Sequence, residues 1–124
     1  MNTQRVHVGE RIQDGSVVVS VSGDPVTHPE VAPLRRKLTN LANSGARSVV
    51  VDLSHVNNVS AAMLGELARG LKTTRNAGGD LRLSGVSRRI RKVLAVTGLS
   101  RFFKNADARD RTPDADRRNV KRVA

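Results

Sequence analysis

Three histidines, His7, His28 and His55, are the side chains that titrate nearest neutral pH. None has a second ligand at metal-binding spacing, and the chain has no cysteine, so they read as surface or capping residues. No metal and no cofactor is expected. Asp52 follows the apolar run Val49-Val50-Val51, which hints at a catalytic carboxylate. No nucleophile or general-acid partner accompanies it, so its expected job is loop structure. Gly78-Gly79 is too short to cradle a phosphate, and no G-x-x-x-x-G-K-[ST] occurs. Two groups remain. One is the polar stretch Asn57, Asn58, Ser60 and Ala61; the other is the cationic cluster Arg88, Arg89, Arg91 and Lys92, followed by Arg101.

The elements that must hold these groups follow from periodicity. Val49, Val50, Val51 and Leu53 form a β-branched run, the pattern of a strand buried on both faces. From Ser60 the period becomes helical, with Leu64, Leu67, Ala68 and Leu71 on one stripe and Glu66, Arg69, Lys72 and Arg75 facing water. Ser60 is the expected N-cap. Residues 57–61 therefore lie in a strand-to-helix loop at the carboxyl end of a strand, where open α/β sheets place their sites.

Upstream, Val6, Val8 and Ile12 alternate as an edge strand, Asp14-Gly15 signals a hairpin, and Val17, Val18, Val19 and Val21 make a central strand. A first helix spans 27–44. Thr27 and Glu30 form a capping box, and Val31, Leu34, Leu38, Leu41 and Ala42 form its core stripe, with Arg35, Arg36 and Lys37 outward. Pro33 fits its interior poorly, so a ragged start, or one only near Pro33, is expected. Residues 80–84 alternate as a strand. Residues 87–97 form a third helix with Val86, Ile90, Val93, Leu94 and Thr97 inward and the four cations outward. Leu99, Phe102 and Phe103 are expected to close the bottom of the core, with at most a short strand after them. The order β-β-α-β-α-β-α predicts an α/β domain with mostly parallel pairing and right-handed crossovers.

At 124 residues the chain has room for one core, and 38% hydrophobic content supports a globular body. That body is expected over residues 1–103, with 104–124 a charged, disordered, basic tail. Formal net charge is +11. Such a surface attracts nucleic acid or anionic lipid weakly and in a salt-sensitive way. No basic-then-apolar leader and no long apolar span occurs, so a soluble cytoplasmic protein is expected.

Val49–Val56 (VVVDLSHV), the loop before Leu64-Gly65, Gly78–Leu83 (GGDLRL) and Val93–Phe103 (VLAVTGLSRFF) resemble a STAS domain. This is the family of bacterial anti-sigma-factor antagonists and of the cytoplasmic tails of sulfate transporters. The resemblance covers roughly Val17 to Phe103. It implies a STAS-like single domain, with a mixed, mostly parallel sheet of four to five strands flanked by three to four helices. It also implies a non-catalytic module that binds an anti-sigma-factor kinase or a related signalling protein in transcription regulation. In antagonists of this kind an Asp-Ser-Ser/Thr-Gly-Leu-Gly segment opens the second helix, and its first Ser is phosphorylated by the kinase. Here Leu64-Gly65 holds the frame, so Ser60 falls on the Asp, Ala61 on the phosphorylated Ser, Ala62 on the second hydroxyl and Met63 on the first Gly. The Gly-Glu-Leu-Asp feature after the second strand reads Gly23-Asp24-Pro25-Val26.

The expected partner surface is thus Asp24, Val26, Asn57, Asn58, Ser60, Ala61, Ala62 and Met63. Alanine has no oxygen to take a phosphoryl group, so the usual switch is lost at Ala61. The competing expectation is a nucleic-acid- or anionic-membrane-associated accessory protein acting through Arg88, Arg89, Arg91, Lys92, Arg101 and the tail. Against it, the chain has no Tyr or Trp on which bases could stack.

Overall fold

The computed structural model describes residues 6–103. The charged segment expected from residue 104 onward lies outside the described residues. Strand β1 (His7–Gln13) turns through Asp14 and Gly15 into β2 (Ser16–Ser22), and Gln13 pairs with Ser16. Both turn residues have positive φ, 52° and 83°, a two-residue turn whose twist matches that of the strands. Asp tolerates this left-handed conformation better than most side chains, and Gly adopts it freely. Helix α1 (His28–Asn43) leads to β3 (Ser48–His55), α2 (Ala61–Asn76) to β4 (Asp80–Ser84), and α3 (Arg88–Val96) follows.

The sheet order is β1-β2-β3-β4, antiparallel at β1/β2 and parallel elsewhere. Two successive crossovers that each step one strand in the same direction place their helices on the same face. That face carries Val19 and Val21, then Val49, Val51 and Leu53, then Leu81 and Leu83, each no more than 1% exposed. Val31, Leu34, Leu38, Met63, Leu67 and Ile90 pack against them from the helices. Each such side chain contributes about 1.5–3 kcal/mol by leaving water. The strand β3 is buried on both sides only in part. Val50, with its β2 neighbour Val18, is buried on the far face, but Asp52 there is half-buried and Ser54 exposed. The expectation of a strand buried on both faces holds only for its middle.

Helix α1 begins cleanly at His28, despite Pro33. The Thr27 hydroxyl accepts from the Glu30 N–H (3.3 Å), and the Glu30 carboxylate accepts from the N–H groups of Thr27 (3.0 Å) and Val26 (2.8 Å). With its first turn sealed, the helix loses one hydrogen bond at Pro33 without fraying.

Further expectations change on this fold. Glu66 does not face water: it is 5% exposed, and Leu64 and Ala68 are only half-buried. The buried face of α2 is rotated towards α1, running through Met63, Glu66, Leu67, Gly70, Leu71 and Thr74. Arg35 likewise turns in to meet Glu66, donating from Nε and Nη2 to one carboxylate oxygen, each at 2.9 Å. Thr97 is exposed, because it is the C-cap of α3 and turns its hydroxyl back onto the Val93 carbonyl at 2.9 Å. After α3 comes a short 3-10 turn, Leu99–Arg101, and any strand after Phe103 lies outside the described residues. Leu99 and Phe103 pack on the core, whereas Phe102 is 48% exposed. Four strands and three α-helices are present among the described residues.

Candidate docking surface at the carboxyl edge of the sheet

Parallel strands β2, β3 and β4 all end at one edge of the sheet, and α1, α2 and α3 all begin there. The loops after β2 and β3 are tied together across that edge. Asp24 Oδ1 accepts from the Asn57 N–H at 2.8 Å and from the Asn58 N–H at 3.5 Å. The Ser60 hydroxyl accepts from the Met63 N–H at 3.1 Å, as an N-cap does, and donates to the Pro25 carbonyl at 2.9 Å. It therefore holds the start of α2 and fastens it to the loop after β2.

Of the expected partner residues, Val26, Asn57, Asn58 and Ala61 are exposed, and Asp24, Ser60 and Ala62 are half-buried. Met63 is a correction. It is fully buried, because the third helical position of α2 points at the sheet, so it belongs to the core and not to the exposed surface. Asp24 also differs in kind: its carboxylate turns inward to hold the second loop.

The cationic cluster on α3 divides. Ser87 caps the helix, accepting from the Ile90 N–H at 3.1 Å. Arg89 Nη1 donates to Asn58 Oδ1 at 2.9 Å, reaching across to the loop after β3. Arg88 and Lys92 are exposed on the same helix. Arg91 folds back onto the Val86 carbonyl at 3.1 Å. Arg101 lies past the other end of α3, its guanidinium 6.0 Å from the Phe102 ring centroid. Arg89 thus reaches the loop, Arg88 and Lys92 are exposed on the same short helix, and Arg101 lies beyond its other end. Asp24, Asn57, Asn58, Ser87 and Arg89 line an open polar cleft of about 440 Å³. The join between loop and α3 has no local sequence signal, since Asn58 and Arg89 are 31 residues apart.

Asp52 is spent on structure. Its Oδ1 accepts from the Ser54 N–H (2.9 Å) and hydroxyl (2.7 Å), and Oδ2 faces Arg11 at 3.9 Å. No group of three His, Cys, Asp or Glu residues able to hold a metal occurs among the described residues. None of their helices is long and apolar enough to cross a membrane.

Residues 8–104 match the family model STAS_2, described as "Mlab, STAS domain". The chain belongs to this family. Its fold is that of an anti-sigma factor antagonist from Mycobacterium paratuberculosis, with 22% identity over 84% of this chain and 87% of that one, and a TM-score of 0.72. It is similarly close to a putative anti-sigma factor antagonist from Thermotoga maritima, with 21% identity, 79% and 84% coverage, and a TM-score of 0.70. The Bacillus cell fate determinant SpoIIAA in its phosphorylated form matches with 19% identity, 82% and 90% coverage, and a TM-score of 0.62.

Proposed function

We propose that this protein is a non-catalytic, cytoplasmic docking module of the antagonist type, which binds an anti-sigma-factor kinase or a related signalling protein without a phosphorylation switch. The observation that carries this reading is the exposed methyl of Ala61 at the first position of α2, beside a loop held rigid from both sides by Asp24 and Ser60. Alanine offers no oxygen to a γ-phosphate. Ser60 is the neighbouring hydroxyl, and it is committed twice, as acceptor for Met63 and donor to Pro25. Phosphorylating it would remove the hydroxyl proton that bonds the Pro25 carbonyl and set a bulky dianion against the loop after β2.

Incubation with ATP and the cognate kinase tests this directly. No phosphate on the loop is expected; stoichiometric phosphate on Ser60 would overturn the reading. The substitution Ala61→Asp places a carboxylate at the first position of α2, where the helix dipole favours an anion, so the fold is expected to survive. Partner affinity should fall about tenfold or more, corresponding to about 1.4 kcal/mol, because the complex would have to desolvate an unpaired charge.

A further inference from the structure

Resting on that docking reading, we infer that the first two turns of α3 and the loop after β3 are one surface, and that its partner presents an acidic peptide segment. Arg88, Arg89 and Lys92 are its cationic grip. The bond from Arg89 to Asn58 makes the two parts continuous, and an amide oxygen orients the guanidinium without neutralising it. Asp24 is the carboxylate on this cleft, and its Oδ1 is already engaged by two backbone N–H groups. Among the described residues Arg88, Arg89 and Lys92 lie within 4.0 Å of no carboxylate, as do Arg36, Arg47, Lys72, Arg82 and Arg101, but these three sit together on one short helix. Neither α2 nor α3 has an acidic residue in its first turn. The helix face is thus cationic, with Asp24 as the carboxylate on the adjoining cleft, and a partner carboxylate would supply the missing counter-charge.

The surroundings favour a peptide over a nucleic acid. Asn57, Asn58 and Ser87 offer the mixed donors and acceptors that a peptide backbone requires. The aromatic side chains, Phe102 and Phe103, sit with Leu71, Lys72 and Arg75 of α2 in a separate apolar pocket, so no stacking platform adjoins the grip.

The test is a titration of the full chain with an octaglutamate peptide, followed by NMR at the backbone amides. At about 0.1 M salt, where charges more than ~10 Å apart are screened, shifts are expected at Asn57, Asn58, Ala61, Arg89 and Lys92. Reversing Arg88, Arg89 and Lys92 together to Glu should weaken binding about tenfold or more. Arg82→Glu, on the opposite face of the sheet, should change it less than about twofold. The amide spectrum of each variant reports whether it is folded. Three results overturn the inference: no binding, shifts that map away from α3, or a DNA duplex or anionic phosphatidylglycerol vesicle that binds α3 more tightly than the peptide. If the peptide fails while an Ala61→Asp-sensitive protein complex still forms, the acidic grip is wrong and the docking reading stands.

Discussion

Ser60 and Ala61 are adjacent, yet only one of them faces outward. The serine hydroxyl lies between the Pro25 carbonyl and the Met63 N–H, while the alanine methyl is free at the surface. A one-residue displacement at a helix start rotates a side chain by about 100°, so the two positions are not interchangeable. Replacing Ser60 with Ala should therefore cost about 1 kcal/mol of stability, measured by denaturant unfolding, through loss of the cap. Glu30 gives a second residue-scale prediction. The Val26 and Thr27 N–H groups, joined by the Thr27 hydroxyl, hold its carboxyl below the ordinary value of 4.5. A depressed carboxylate adds stability that is fully present above the unfolded-state pKa and is lost as pH falls through the folded one. Wild type should then melt above Glu30→Gln at neutral pH, and the gap should close below about pH 4. A gap that persists or widens in acid would contradict the capping-box account.

Between elements, the α1–α2 interface carries a mixed load. Glu66 is buried there against Arg35, but its second oxygen finds no hydrogen-bond partner and Arg69 stands 3.9 Å off. A half-satisfied buried carboxylate is weak support for stability. Glu66→Leu should be close to neutral in chemical denaturation, within about 1 kcal/mol, because it removes that orphaned oxygen as well as the pair. Glycines at two contacts should respond differently. A Cβ on Gly70 would fall 2.6 Å from Leu38 Cδ1, the end of a side chain that can move. A Cβ on Gly79 would meet the carbonyl oxygens of Ala46 and Arg47, the latter at 2.9 Å, where β4 joins the sheet through the Asp80 N–H. Backbone cannot step aside. Gly79→Ala should be the more destabilising of the two, by about 1 kcal/mol or more, and the reverse ranking would refute this packing.

For the molecule as a whole, the features written locally in the chain were legible. Asp14-Gly15, the Thr27–Glu30 box, the cap at Ser60 and the residues 80–84 strand all lie where their spacing places them. What local pattern does not contain is which helix lands beside which. The burial of Glu66 follows from the position of α1, and a helical wheel of α2 alone puts that carboxylate in water. The candidate surface shows the same division. Periodicity locates the loop after β3, while its attachments to Asp24 and Arg89 come from segments 33 and 31 residues away, brought near only by the parallel order of β2, β3 and β4.

The Asp24 bridge also has a practical consequence. No contiguous stretch of this polypeptide contains the proposed docking surface, which is therefore a conformational epitope rather than a linear one. A synthetic peptide copying residues 55–65 would lack both the carboxylate that pins its amides and the guanidinium that holds its asparagine. Such a fragment should fail to compete with the intact protein for its partner, even at a hundredfold excess by order of magnitude.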